Sequence, residues 1–116
     1  MRPKKVYTSY FNGYHGDRGV SIALSSPKSF TGRRIKEFAP SWSLMKKPMH
    51  EYVPEYKVNV LAVLDEKDVL SQIHDGDVLL CWEKPDDFCH RHLVASWLKK
   101  RGIEVEEIDN RIGLFE

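Results

Sequence analysis

Only two cysteines occur in the 116 residues, at positions 81 and 89, so there is no set of pairs from which the disulfide framework of a small secreted protein could be built. A reduced compartment is the expectation. No apolar run is long enough to span a membrane, and Met1-Arg2-Pro3-Lys4-Lys5 leads into strand-like sequence without an apolar stretch of signal-peptide length. The chain therefore reads as cytoplasmic, with no membrane partner. Net charge is nearly absent too, since 18 Lys and Arg against 17 Asp and Glu leave +1. That balance excludes a whole-molecule basic field of the kind that drives nonspecific nucleic-acid binding, so any polyanion contact must come from a local patch. Glycine-rich phosphate or dinucleotide loops of the usual spacing, internal repeats and low-complexity segments are missing as well. What remains suits a single domain over residues 1–116, long enough to bury its own core.

Lys5 to Phe11 is rich in aromatic and branched residues and stops at Asn12-Gly13, which predicts a first strand; Val20 to Leu24 predicts a second. Between them, Gly13, Gly16 and Gly19 with His15, Asp17 and Arg18 make an exposed loop. Residues 28–48 are irregular, and Pro40, Pro48 and Pro54 argue for one or two short helices rather than a long one. Tyr56, Val60, Val63 and Leu64 recur at helical spacing with Pro54 in the first turn, although Val58, Val60, Ala62 and Leu64 also alternate as in a strand. The helix is favoured. Asp65 is placed to cap a short helix carrying Val69, Leu70 and Ile73, ended by Gly76.

The last third is more regular. Val78 to Trp82 is a near-continuous apolar strand, Asp86 or Asp87 caps a helix running to about Arg101, Gly102 stands at its end, and Ile103 to Ile108 alternates as a strand. A strand, helix, strand unit of this kind closes as a parallel crossover. The predicted class is α/β: a three-layer-like domain with a mostly parallel sheet and this unit at its C-terminal end.

Ionisable groups crowd the junction of that unit. In an open parallel sheet ligands bind beyond the carboxyl ends of the strands, where Glu83 falls, together with Tyr10 and Asn12 after the first strand and Ser25 and Ser26 after the second. With Asp87 as cap, Cys89, His90 and Arg91 occupy the first helical turn, where unpaired backbone N–H groups favour an anion. At about 100° per residue, Leu93, Val94, Trp97 and Leu98 define the buried stripe. His90 lies within it, Arg91 at its edge facing the cleft, and His92 on the solvated side. Strand alternation puts Leu79, Cys81 and Glu83 on one face, so Cys81, Glu83 and His90 converge if the helix covers that face.

Each of these residues also has a plainer reading. Cys81 is either a packed core thiol or a reactive one, His90 either a core imidazole or a direct participant, and Arg91 either a ligand contact or a partner for Glu83 or Asp87. Cys89, near a helix N-terminus, should favour thiolate, yet it has no clear base beside it. Cys81, Cys89, His90 and His92 are metal-ligand types, but there is no Cys-x-x-Cys pair and the helical phase parts the two histidines, so neither metal nor cofactor is expected. A phosphatase loop is excluded, because it needs an Arg where Ala95 follows Cys89 and Asp87 follows Cys81. Lys28, Arg33, Arg34, Lys46 and Lys47 among Phe30, Phe38 and Trp42 form a weak phosphate- and base-binding signal.

Leu80-Cys81-Trp82-Glu83-Lys84-Pro85, then Phe88-Cys89-His90-Arg91, then Leu93 to Leu98, resembles the bacterial and phage family known as domain of unknown function four-eight-eight. In that family a strand ending in Cys-x-Glu precedes a Cys-His-Arg that starts a helix. Thr8 to Phe11, residues 52–65 and the final strand are similar to one subgroup. The Asp-x-Arg carried by other branches on an early strand is replaced here by Ser21 to Ser25. The resemblance implies an α/β domain with a polar pocket around the Cys-His-Arg.

Two functions are consistent with these residues. One is an enzyme acting on a nucleotide, nucleoside or nucleic-acid base, with catalytic Glu83 and His90 and with Arg91, Cys89, Tyr10 and Ser25 binding a phosphate-bearing small molecule or nucleic acid. The other is a noncatalytic nucleotide-, nucleic-acid- or protein-binding module in which the same cluster locks strand to helix.

Overall fold

The computed structural model describes residues 3–83 and 89–108. Five strands, β1 (Lys5–Tyr10), β2 (Gly19–Ser21), β3 (Arg33–Arg34), β4 (Val78–Cys81) and β5 (Glu104–Glu107), form one sheet in the order β3-β2-β4-β1-β5. Every pairing is parallel. The helices are α1 (Trp42–Met45), α2 (Met49–Tyr56), α3 (Glu66–Ser71) and α4 (His90–Lys99). The class is α/β, as the sequence predicts.

β4 is buried at all four positions because it runs between β2 and β1, which explains its unbroken apolar sequence. β5 instead takes the outer edge beside β1 and alternates exposed with half-buried residues. The terminal β4-α4-β5 unit therefore crosses over β1 rather than joining neighbouring strands.

The main core packs one side of the sheet, through Val6, Val20, Ile22 and Leu79, against Tyr52, Tyr56, Val69, Val94 and Leu98 of the helices. On the other side a smaller cluster joins Val78 and Leu80 to Phe11, Tyr14 and Phe30. That outer layer is built from loop aromatics, with Phe11 edge-on to Phe30 at 5.5 Å.

Several boundaries depart from the sequence reading. β2 stops at Ser21 rather than Leu24, because the Ser21 hydroxyl accepts from the Ala23 N–H and the Ser26 hydroxyl and turns the chain away from the ladder. The helix expected from Pro54 starts at Met49, so Pro54 lies inside α2 rather than in its first turn, and a π-helical turn at Lys57–Leu61 extends it. β3 had no apolar signal: both of its residues are exposed arginines. α3 is capped as expected, the Asp65 carboxylate accepting from the Asp68 N–H at 3.2 Å. α4 takes Cys89 as its cap residue, so Cys89 stands just before the first turn rather than in it. The alternative caps Asp86 and Asp87 lie outside the described residues.

Candidate active site at the carboxyl edge of the sheet

In a parallel sheet all carboxyl ends share one edge, and the register aligns Tyr10 of β1 with Cys81 of β4 and Ser21 of β2 with Leu80. A cleft of about 120 Å³ opens there. Glu83, His90, Ser25 and Tyr52 line it, with Cys81 and Cys89 in its wall. Tyr10 is buried and packs beside Gly13, away from the cleft wall, even though its strand ends at the same edge. Larger depressions exist, one of about 710 Å³ beside α2 and α3, but its carboxylates already have structural tasks: Glu55 binds Lys47 and Asp65 caps α3.

Glu83 stands just past β4 with its side chain exposed and Oε2 3.8 Å from the Cys81 sulfur. His90 is its opposite, 6% exposed, with its ring beside that of Tyr56 at 5.6 Å. His90 Nε2 lies 2.7 Å from the Ile22 carbonyl oxygen. A carbonyl only accepts, so Nε2 carries the proton and Nδ1 is left as an acceptor, 3.8 Å from the Cys89 sulfur. Burial pushes the imidazole pKa down to about 4, outweighing the carbonyl bond, and the charges of Arg91 and His92 add to the depression. His90 is neutral near pH 7.

Arg91 is wholly buried. Its Nε and one terminal nitrogen donate to the Glu107 carboxylate of β5, the closest contact being 2.7 Å. The other terminal nitrogen donates to the Glu83 carbonyl at 2.6 Å and lies 3.0 Å from the Cys81 sulfur. The sequence placed this guanidinium at the cleft edge, either as a ligand contact or as a partner for Glu83 or Asp87, the last of which lies outside the described residues. It points inward instead, because Glu107 and the end of β4 together satisfy its planar donor fork. His92, expected in solvent, is half-buried beside Thr8 and Glu107.

Cys81 and Cys89 are joined as a disulfide, with Cα atoms 7.4 Å apart. The sequence pointed to reduced thiols, because it offered no second pair and could not show that these two sulfurs meet. Sequence reasoning also missed Glu107 and Tyr52. Glu107 shares its strand face with half-buried Val105, so alternation was the available signal. Tyr52 is stacked on Tyr56 one helical turn away; burial and then the charge of Glu83 push its phenol pKa up, so it holds its proton.

A family profile described as the Active DUF488-N3 subclade matches residues 13–102. No curated protein and no solved structure gives a significant match.

Proposed function

The chain belongs to the DUF488 family, and on that premise we propose that it is an enzyme acting on a nucleotide, nucleoside or nucleic-acid base in the cleft beyond β4. One observation carries this reading: the Glu83 carboxylate is exposed within a cleft whose wall also holds a neutral imidazole and a protonated phenol. An exposed carboxylate beside buried proton-bearing groups suits a general base or nucleophile at an electrophilic carbon. Glu83 takes the proton of the attacking water, or attacks directly. His90, fixed by Ile22, positions the reacting groups, and Tyr52 and Ser25 face the ligand.

Arg91 does not clamp the anion in this scheme, since Glu107 already occupies it. Lys47, also on the cleft wall, is likewise held by a carboxylate, that of Glu55. The test is a panel of nucleosides, nucleotides and free bases, with products separated by chromatography. Glu83→Gln should lower kcat on the substrate found by roughly 10²–10⁴-fold while the protein stays folded. Unchanged turnover would remove Glu83 from catalysis.

The ion pair of buried Arg91 with half-buried Glu107 favours a second reading, in which the motif is a lock under a noncatalytic binding cleft. Calorimetry on the same panel separates the two: binding of one compound without turnover in the wild type supports the module.

A further inference from the structure

Cys81, Cys89 and His90 place three metal-binding atoms within 4.8 Å of one another, all from buried residues and all in the wall of one cleft. Zn–S bonds of about 2.3 Å and Zn–N bonds of about 2.0 Å put neighbouring donors of a tetrahedral site on the order of 3.5 Å apart. The Cys89 sulfur and His90 Nδ1, 3.8 Å apart, already have nearly that spacing. His90 is also oriented as a ligand. Its Nε2–H is held by the Ile22 carbonyl, the usual outer partner of a metal-bound imidazole, which leaves Nδ1 aimed at the sulfurs. Arg91, 3.0 Å from the Cys81 sulfur, is a donor suited to stabilise a thiolate there.

The Cα atoms of the cysteine pair, 7.4 Å apart, stand wider than the roughly 4.4–6.8 Å usual for disulfides. The helical phase that sends His92 away from the cleft does not apply to His90, so the site needs only one imidazole.

We propose that the reduced protein binds one zinc-class divalent cation through Cys81, Cys89 and His90, with the fourth position open to the cleft beside Glu83. Forming the site from the disulfide requires an external thiol reductant, which supplies two electrons and two protons; metal binding then releases both thiol protons. Two thiolates and an imidazole with one open position are a donor set of catalytic zinc, and in nucleobase-hydrolysing zinc enzymes a carboxylate that is not a ligand stands beside it. A water on that metal would give one proton to Glu83 and its hydroxide to the substrate carbon; the bond from that carbon to the leaving group would then break, its electron pair leaving with the group, which Glu83 would protonate. This role rests on the catalytic reading above, whereas metal binding is measured without turnover, so either can fail alone.

The test uses full-length protein made without a histidine tag, reduced, stripped with a chelator and kept free of oxygen. Titration with Co²⁺ should give thiolate-to-cobalt charge-transfer and intense tetrahedral bands that saturate at about one equivalent and are displaced by Zn²⁺. Cys89→Ser and Cys81→Ser should each lose the charge-transfer intensity and weaken Zn²⁺ binding at least tenfold, while Glu83→Gln keeps one equivalent. Wild-type protein with two free thiols and native circular dichroism that takes up neither ion at micromolar concentration overturns the site. Saturation unchanged in both cysteine variants overturns it equally.

Discussion

Arg91 shows most plainly how a single side chain is decided by its surroundings. A buried guanidinium is tolerated only when its donors are satisfied, and here a carboxylate, a carbonyl and a sulfur meet them. Glu107→Gln should therefore cost about 3 kcal/mol or more in urea unfolding, because it leaves a buried cation without its counter-charge. Arg91→Lys should not restore wild-type stability, since an ammonium cannot span the same acceptors. A wild-type midpoint in either variant would show that the pair contributes nothing. The meeting of Glu83, Cys81 and His90 was legible in the sequence, because strand alternation and helical phase fix which way neighbouring side chains point. The partner of Arg91 was not. It lies on β5, and which strand a given edge receives depends on the packing of the whole sheet.

Among the elements, those with a clear apolar pattern and a stop signal could be read with their bounds, β2 and α2 could be read but with shifted ends, and β3 could not be read. β1, α3, α4 and β5 have apolar periodicity, and β4 an unbroken apolar run, each bounded by turn, cap or glycine signals. β3, two exposed arginines, has neither, and its pairing with β2 comes from tertiary placement. Gly102 ends α4 with φ +83°, a conformation in which a Cβ is strained, and no atom lies near enough to add a clash. Gly102→Ala should thus cost about 1 kcal/mol, purely conformational, with a lowered denaturation midpoint and an unchanged m-value. At the start of α3, Asp65→Ala should remove the cap at a cost of about 1 kcal/mol, measurable in the same experiment.

For the whole molecule the buried imidazole makes stability depend on pH. His90 titrates at about 4 when folded and near 6.5 when unfolded, so between these values the unfolded chain holds the extra proton. Stability is then full above about pH 6.5 and falls by about 1.4 kcal/mol per pH unit as pH drops toward 4. Asp75, whose carboxylate accepts from the Lys4 and Lys5 N–H groups and is held below the usual range, acts in the same direction at lower pH. Urea midpoints of metal-free protein across this range should follow that slope, and His90→Gln should flatten its upper part. A slope that survives the substitution would assign the effect elsewhere. The link from β4 and α4 to Glu107 also has a consequence for the order in which the protein is made. Synthesis delivers Arg91 and both cysteines before Glu107, so the guanidinium of α4 meets its carboxylate only once β5 has been made.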